Sequence, residues 1–263
     1  MKDIIKNEAL KLGLDMCGIA NHDGKSVIVC LFPYFVNFQK GNISRYSVAT
    51  DYHKITKVYL EKLSKNAGLS EFEIYADISP FDERQLAVDA GLGIIGKNGL
   101  LINKKYGSYV FIGLIILNKL MLESDTPLDN KCVECGKCIK ACPGKALTES
   151  GFNIKKCLSE ITQKKGELTE SEKMLIIKTG MVWGCDACSE ACPMNKDVPE
   201  TPIPEFKENI ITSLKLKDIE NLSNKEFLKK YPDRAFAWRG KKVLLRNFGV
   251  LEDCLPTDKS FEK

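Results

Sequence analysis

The sequence predicts an α/β N-terminal domain, a cysteine-rich module and a helical C-terminal tail. Three observations carry that expectation. Segments of helical and strand period alternate up to about residue 118, and eight of the eleven cysteines then crowd between residues 130 and 195. A proline-rich stretch (Pro199, Pro202, Pro204) leads from there to a helical pattern over residues 216–251. The implied boundaries are 1–129, 130–198 and 199–263.

Taken in order, residues 4–12 carry apolar side chains at helical spacing and stop at Gly13. "KSVIVCLF" (25–32) is short and β-branched and reads as a buried strand. Residues 51–67 form an amphipathic helix with Gly68 after it. "EFEIYADI" (71–78) alternates like a half-buried strand, and Pro80 opens a helix running through Ala90 to a stop at Gly91. Residues 100–102 and 108–117 complete a layout of at least four strands.

The chain has 263 residues, 44% of them hydrophobic and 28% charged, with a net charge of +4. That is long enough for a sizeable core, ordinary for a soluble globular protein, and only mildly suited to an anionic partner. Asp3 and Glu8 interrupt the N-terminus, and the longest apolar run, "YVFIGLIIL", has nine residues (109–117), half of a membrane span. A cytoplasmic protein without a membrane partner is expected. In that compartment thiols stay reduced, so the cysteines point to metal or redox chemistry.

"CVECGKCIKACP" is C-x2-C-x2-C-x3-C-P, from Cys132, Cys135, Cys138, Cys142 and Pro143. Three closely spaced thiolates wrap one cubane while the fourth reaches a second, the arrangement of two-cluster ferredoxins. Structural zinc is the alternative, but it usually takes paired knuckles. "CDACSEACP" adds Cys185, Cys188 and Cys192, one thiolate short, and Cys157 is the only other cysteine in the module. The count then closes on two [4Fe–4S] clusters: Cys132, Cys135, Cys138 and Cys192 for one, Cys157, Cys185, Cys188 and Cys142 for the other. Cys17, Cys30 and Cys254 remain as buried hydrophobes or surface thiols.

"GLGIIGKN" (91–98) matches the spacing of a dinucleotide fingerprint and, apart from a final hydroxyl, of a phosphate-binding loop. Both motifs follow a strand and open a helix, whereas here a helix runs in and a strand runs out. The glycines are therefore expected to cap the helix and turn the chain, or to let a flat cofactor approach the backbone.

Together the motifs resemble the epoxyqueuosine reductase family, relatives of the reductive dehalogenases. The matching residues are "SRYSVATDYH" (44–53), "ADISPFDERQLAVDAGLGIIGKNGLLI" (76–102), "YGSYVFIG" (106–113), the first cysteine motif, "KCLSEITQKKGEL" (156–168), "WGCDACSEACPMNK" (183–196) and "FAWRGKKVLLRN" (236–247). The resemblance implies reduction of the epoxide of epoxyqueuosine in a tRNA anticodon stem-loop to queuosine. It also implies a cobalamin on the N-terminal domain, fed by the two clusters from a low-potential donor such as ferredoxin or flavodoxin. The family's proton donor falls on Asp77, where a corrin face would raise the carboxyl pKa, and its corrin contacts fall on Ser44, Leu101, Ile112 and Gln163. Without the resemblance, Asp77, which closely precedes Pro80, reads first as a helix cap. Glu83 and Arg84 read as a helix-surface pair, and Lys97 as a loop lysine or a corrin contact. His22 and His53, the only histidines, lie outside any D-x-H-x-x-G context, so no protein histidine is expected on cobalt. Family members carry a longer segment between "MCGIA" and "KSVIVCLFPY".

Residues 222–248 hold eight cations (Lys225, Lys229, Lys230, Arg234, Arg239, Lys241, Lys242, Arg246) interleaved with Phe236, Trp238 and Phe248, a basic helix suited to a phosphate backbone or packed as an amphipathic surface helix. Two rival functions share these features: a corrinoid reductase with another substrate, and a ferredoxin-like electron-transfer or corrinoid-reactivating protein.

Overall fold

The computed structural model describes residues 1–252, so Cys254 lies outside the described residues. In chain order the elements are α1 (Lys2–Lys11), β1 (Cys17–His22), β2 (Lys25–Pro33), α2 (Tyr52–Asn66), β3 (Phe72–Ala76), α3 (Glu83–Asp89), β4 (Ile94–Ile95), β5 (Leu101–Ile102), β6 (Val110–Leu117), α4 (Lys137–Ala141), β7 (Leu147–Thr148), β8 (Gly151–Phe152), α5 (Leu158–Gln163), α6 (Glu170–Thr179), α7 (Ala187–Glu190), α8 (Asn224–Lys230) and α9 (Lys241–Glu252). Among the described residues no helix is long and apolar enough to cross a membrane. The chain divides into two units, the first from residues 1–37, 49–138 and 188–210, the second from residues 38–48, 139–187 and 211 onward. The contacts thus do not follow three consecutive stretches, because the division passes through both cysteine motifs, after Cys138 and before Cys188.

The first unit is built on a four-stranded sheet of order β1-β2-β6-β3. Every pairing is antiparallel, so the domain is mixed α and β without the parallel crossovers of a doubly wound fold. Asp77, just after β3, therefore does not stand at the carboxyl end of a parallel sheet, where doubly wound folds gather their ligands. Strand β1 is absent from the sequence expectation. It is joined to β2 through Asp23 and Gly24, whose φ values of 48° and 72° make the two-residue turn that matches sheet twist.

Both faces of β2 are covered, which is why it reads as a continuous apolar run. On one face Ile28, Cys30, Phe32, Ile115 and Leu117 pack with Ile5 and Ala9 of α1 and with Leu60 and Leu63 of α2. On the other, Val27, Val29, Leu31, Leu114 and Ile116 pack with Leu86 and Ala87 of α3 and with Leu101. Each such side chain contributes roughly 1.5–3 kcal/mol on burial. The proline-rich stretch is no linker. Thr201 N donates to the Phe35 carbonyl at 2.7 Å, and Ile203 and Phe206 are buried in the first of these cores. Helix α3 begins at Glu83 rather than at Pro80. Asp82 caps it by accepting from Arg84 N and Gln85 N at 3.1 and 3.2 Å, so Asp77 is not the cap.

In the second unit Leu158, Ile161, Leu168, Ile176, Met181 and Val250 form the core shared by α5, α6 and α9. Thr169 and Glu172 close a capping box at the start of α6, and Gly180 ends it at φ 67°. The basic tail is not one helix. It breaks into a 3-10 turn at Leu216–Asp218, α8, a second turn at Ala235–Ala237 and α9. Pro232 and Gly240, at φ 75°, mark the breaks. Phe236 and Phe248 are buried, leaving Trp238 as the exposed member of the three aromatics.

Candidate active site and cluster ligands

Asp77 follows the edge strand β3 and adopts φ 69°, a left-handed conformation that aspartate tolerates better than most residues. The turn is closed by Ile78 N donating to the Ala76 carbonyl at 2.9 Å. Tyr52 OH donates to Asp77 Oδ2 at 2.7 Å, and His53 Nε2 stands 3.3 Å from the same oxygen. The other imidazole nitrogen, Nδ1, is 2.7 Å from Oδ1 of Asp51, the N-cap of α2. With a carboxylate at each nitrogen both must donate, so the ring is an imidazolium. Its pKa is raised to about 9 by the hydrogen bond to Asp51 first and that to Asp77 second. The rings fix this geometry as a column: Tyr52 stacks on His53 (4.1 Å) and on Phe111 (4.0 Å), and Phe111 on Tyr34 (4.4 Å).

Among the protein's own groups the Asp77 carboxyl is shifted down. Hydrogen bonding from His53, with help from Tyr52, lowers it against the desolvation of its pocket. The raised carboxyl is Glu83, which burial pushes up, with the Asp77 charge adding and hydrogen bonds from Ser79 and the Asp77 amide opposing. Glu83 Oε1 is buried without a hydrogen-bond partner, and Arg84 Nη1 donates instead to the Gly99 carbonyl at 2.8 Å, so these two residues are not a helix-surface pair.

Asp77, Glu83 and Tyr52 line one cavity of about 610 Å³ in the first unit, with Leu101, Val110, Phe111 and Ile112 as its apolar wall. Leu101 and Ile112 thus line the same cavity as Asp77. Ser44 and Gln163 belong to the second unit. There Ser44 Oγ donates to Asp186 Oδ1 at 2.6 Å, and Gln163 Nε2 donates to the Ser159 carbonyl at 2.9 Å.

The loop "GLGIIGKN" is a partition. Leu100 and Leu101 face the cavity, whereas Lys97, Asn98 and Ile102 line a pocket with Cys132, Cys135, Cys138 and Cys192. Alternation along β5 sends Leu101 and Ile102 to opposite sides. A Cβ on Gly93 would lie 2.7 Å from the Ile102 carbonyl oxygen and 3.0 Å from Leu101, so packing of the β4–β5 hairpin by itself demands this glycine. Lys97 sits by the cysteines, where its charge suits an anionic cluster. Asn195 ties the same pocket to the cavity: its Oδ1 accepts from Ser108 N at 2.7 Å, and its Nδ2 donates to Ser108 Oγ and to the Ser189 carbonyl at 2.8 and 2.7 Å. Ser108 lines the cavity and Asn195 follows Cys192 by three residues.

In the second unit Cys142, Cys157 and Cys185 lie within electrostatic range of one another. Burial, then Asp186, Cys157 and Cys142, push the Cys185 thiol up to about 11. Cys142 Sγ accepts from Ala146 N at 3.2 Å. Ser44 and the Arg45 amide (2.9 Å) hold Asp186 and so fix the loop that carries Cys185. Among the described residues no three His, Cys, Asp or Glu side chains converge on a single ion. A cubane asks for a wider set, because each thiolate binds a different iron. Sequence reasoning passed over His53 and Glu83. The signal for His53 was its place two residues after the N-cap Asp51, which turns the ring back toward that carboxylate.

Two family models match the chain: the 4Fe-4S double cluster binding domain over residues 131–195, and Epoxyqueuosine reductase QueG, DUF1730, over residues 21–77. The epoxyqueuosine reductase of Lactococcus garvieae (strain Lg2) is 38% identical over 221 residues, covering 82% of this chain and 62% of that protein. That of Atelocyanobacterium thalassa (isolate ALOHA) is 34% identical over 237 residues, covering 82% and 76%. A crystal structure of epoxyqueuosine reductase with a tRNA-Tyr epoxyqueuosine-modified tRNA stem loop superposes with a TM-score of 0.83 at 25% identity, covering 95% of this chain and 80% of that one. The Bacillus subtilis enzyme, with its catalytic aspartate loop swung out of the active site, gives 0.82 at 25% identity over the same shares. The chain spans about three fifths of the length of the curated relatives it matches first. At this identity and coverage, and with the matching motifs at the cavity and in the cysteine pocket, the chain belongs to the epoxyqueuosine reductase family.

Proposed function

We propose that the protein is a cytoplasmic, cobalamin-dependent iron–sulfur reductase that converts epoxyqueuosine in a tRNA anticodon stem-loop to queuosine. One observation carries the reading. A carboxylate beside a protonated imidazole, Asp77 with His53, faces a cavity with an apolar wall, and the β4–β5 hairpin lines both this cavity and the pocket that holds Cys132, Cys135, Cys138 and Cys192.

Deoxygenating an epoxide takes up two electrons and two protons and releases water. The electrons enter through two clusters, one on Cys132, Cys135, Cys138 and Cys192, the other on Cys142, Cys157, Cys185 and Cys188, loaded by a low-potential donor of ferredoxin or flavodoxin type. The cavity fits a corrin. Leu101, Val110, Phe111 and Ile112 offer a flat apolar wall, Tyr52 and Ser108 a polar rim, and the buried Glu83 oxygen lacks a protein partner. Ser44 and Gln163 are carried as contacts by the family resemblance alone. Cobalamin, when bound, supplies a low-potential metal centre able to bond to carbon.

This chain's own residues then manage protons. His53 stores one near neutral pH, and Asp77, whose Oδ2 faces both His53 and Tyr52, passes it to the leaving oxygen. Glu83, held toward its neutral form, is suited to supply the second. That the Bacillus subtilis relative has a catalytic aspartate on a loop able to swing out supports a catalytic part for Asp77, which stands in the turn after β3. A solved relative holding a modified stem loop supports tRNA as substrate.

The test is queuosine formation on epoxyqueuosine-containing stem-loop RNA by anaerobically reconstituted protein, with and without cobalamin, for wild type and Asp77→Asn. Loss in the variant with cobalamin retained on gel filtration is expected. Full activity in the variant would remove Asp77 from the reaction. Retention of cobalamin without queuosine formation by wild type would favour a corrinoid reductase of another substrate.

A further inference from the structure

The second unit has a cavity of about 750 Å³ that the reductive chemistry does not use. Lys165, Lys173, Arg239, Lys242 and Arg246 line it against one acid, Glu167, over a floor that includes Leu168, Val243 and Val250. The cations come from two distant stretches of sequence, residues 165–173 and 239–246, the second of them within the basic tail. They are not equivalent. Arg246 builds the rim: its guanidinium donates to the carbonyls of Lys164, Gly166 (2.8 Å) and Ile161 (3.3 Å). Lys173 is paired with Glu170 at 2.7 Å. Lys165, Arg239 and Lys242 remain to meet a ligand.

Arg239 is poised for one. Its guanidinium lies 3.6 Å over the Trp238 ring, and its Nε is buried without a hydrogen-bond partner. The indole beneath it is 58% exposed. A guanidinium laid flat on an exposed aromatic ring and flanked by lysines presents both features that single-stranded nucleic acid uses, cations for phosphates and a face for a base. An acidic peptide would use the charges but not the indole face.

We propose that this groove holds the phosphodiester backbone of the RNA substrate, with Lys165, Arg239 and Lys242 as phosphate contacts and Trp238 as a stacking face for an unpaired base. The assignment rests on the reading that the protein acts on tRNA, and it gives a concrete seat to the basic tail, three of whose other cations are engaged locally. Lys230 donates to the Asp218 carbonyl at 2.8 Å, Lys241 to the Glu220 carbonyl at 3.1 Å and Arg234 to the Val48 carbonyl at 3.0 Å.

The test is equilibrium binding of a fluorescent anticodon stem-loop to cluster-reconstituted protein across a salt series. Wild type, Lys165→Gln/Lys242→Gln and Trp238→Ala are compared, with iron content and circular dichroism checking each fold. The double variant is expected to bind more weakly and to flatten the slope of log K against log salt by about 2, one for each lost phosphate contact. Trp238→Ala is expected to lose about tenfold in affinity with the slope unchanged. Variants matching wild type in affinity and slope, while wild type binds, would overturn the groove and leave the tRNA reading standing. Failure of wild type to bind RNA at low salt would overturn both. An acidic peptide bound as tightly as the stem-loop, with Trp238→Ala silent, would replace RNA by a protein partner.

Discussion

His53 donates toward two carboxylates, Asp51 Oδ1 at 2.7 Å and Asp77 Oδ2 at 3.3 Å, and so holds a proton one hydrogen bond from the cavity. Its folded pKa of about 9 lies above the ordinary value of 6.5. For a group raised on folding, the stabilisation is complete below the unfolded pKa and is lost as pH rises through the folded one. Unfolding free energy in wild type should therefore decline between about pH 6.5 and 9, and His53→Gln should abolish that component. If His53 feeds Asp77, turnover should fall as pH rises through about 9, where the folded imidazolium loses its proton, and drop about 10²- to 10⁴-fold in the variant. An unchanged pH–rate profile in His53→Gln would reduce the imidazole to a structural clamp.

Glu83 is the opposite case. A carboxyl raised on folding is most favourable when protonated, so its contribution is fully present below the unfolded pKa and lost as pH climbs through the folded value. Glu83→Gln keeps a polar, uncharged group in place. The variant should be at least as stable as wild type at neutral pH, measured by thermal denaturation, while queuosine formation slows because one of two protons loses its donor. Equal turnover would leave Glu83 with packing alone.

These two residues mark where the sequence stops being legible. Strands β2 and β6 could be read because burial on both faces forces an unbroken apolar run, and the eight cysteines because ligand spacing is local. Strand β1 could not, since only Gly18, Ile19 and Ala20 are buried in it and two of those are small. Its evidence lay in the Asp23–Gly24 turn. The proline-rich strap resembled a linker because its anchors meet partners remote in sequence: Thr201 bonds the Pro33 and Phe35 carbonyls, and Phe206 packs on the Phe111 ring. His53 and Glu83 depend on where α2 and α3 bring their first turns against β3, a tertiary fact. Asp77 is marked by the family resemblance, whereas the imidazolium that lowers its pKa within the protein comes from tertiary packing that no local pattern announces.

Cys157 is the ligand with the least motif around it. It stands alone at the start of α5, yet it lies in electrostatic range of Cys185. Reconstituted wild type should carry about eight irons per chain and Cys157→Ser about four to eight with an altered electron paramagnetic resonance signal, since serine is a poorer ligand; Cys157→Ala should fall to about four. A full complement with an unperturbed signal in Cys157→Ala would transfer the eighth thiolate elsewhere.

Asn195 offers the sharpest separation of architecture from chemistry. Its buried amide makes three hydrogen bonds, two to Ser108 and one to the Ser189 carbonyl, and so joins the cysteine pocket to the cavity wall. Truncation in Asn195→Ala leaves the Ser108 amide unsatisfied, at about 1–3 kcal/mol, and takes from the Ser189 carbonyl one of its two donors, the other being Cys192 N at 3.1 Å. For a chain of this size that corresponds to a fall of at least about 2–4 °C in melting temperature. Because Cys192 lies on the same turn, the variant should also lose the first cluster faster under oxygen while the second persists, which iron release followed by absorbance can resolve. Asn195→Asp restores the acceptor but not the donor, and buries a charge, so it should not rescue stability. A melting temperature and cluster lifetime equal to wild type in Asn195→Ala would mean that the cavity wall and the cysteine pocket are held together by the β4–β5 loop without this amide.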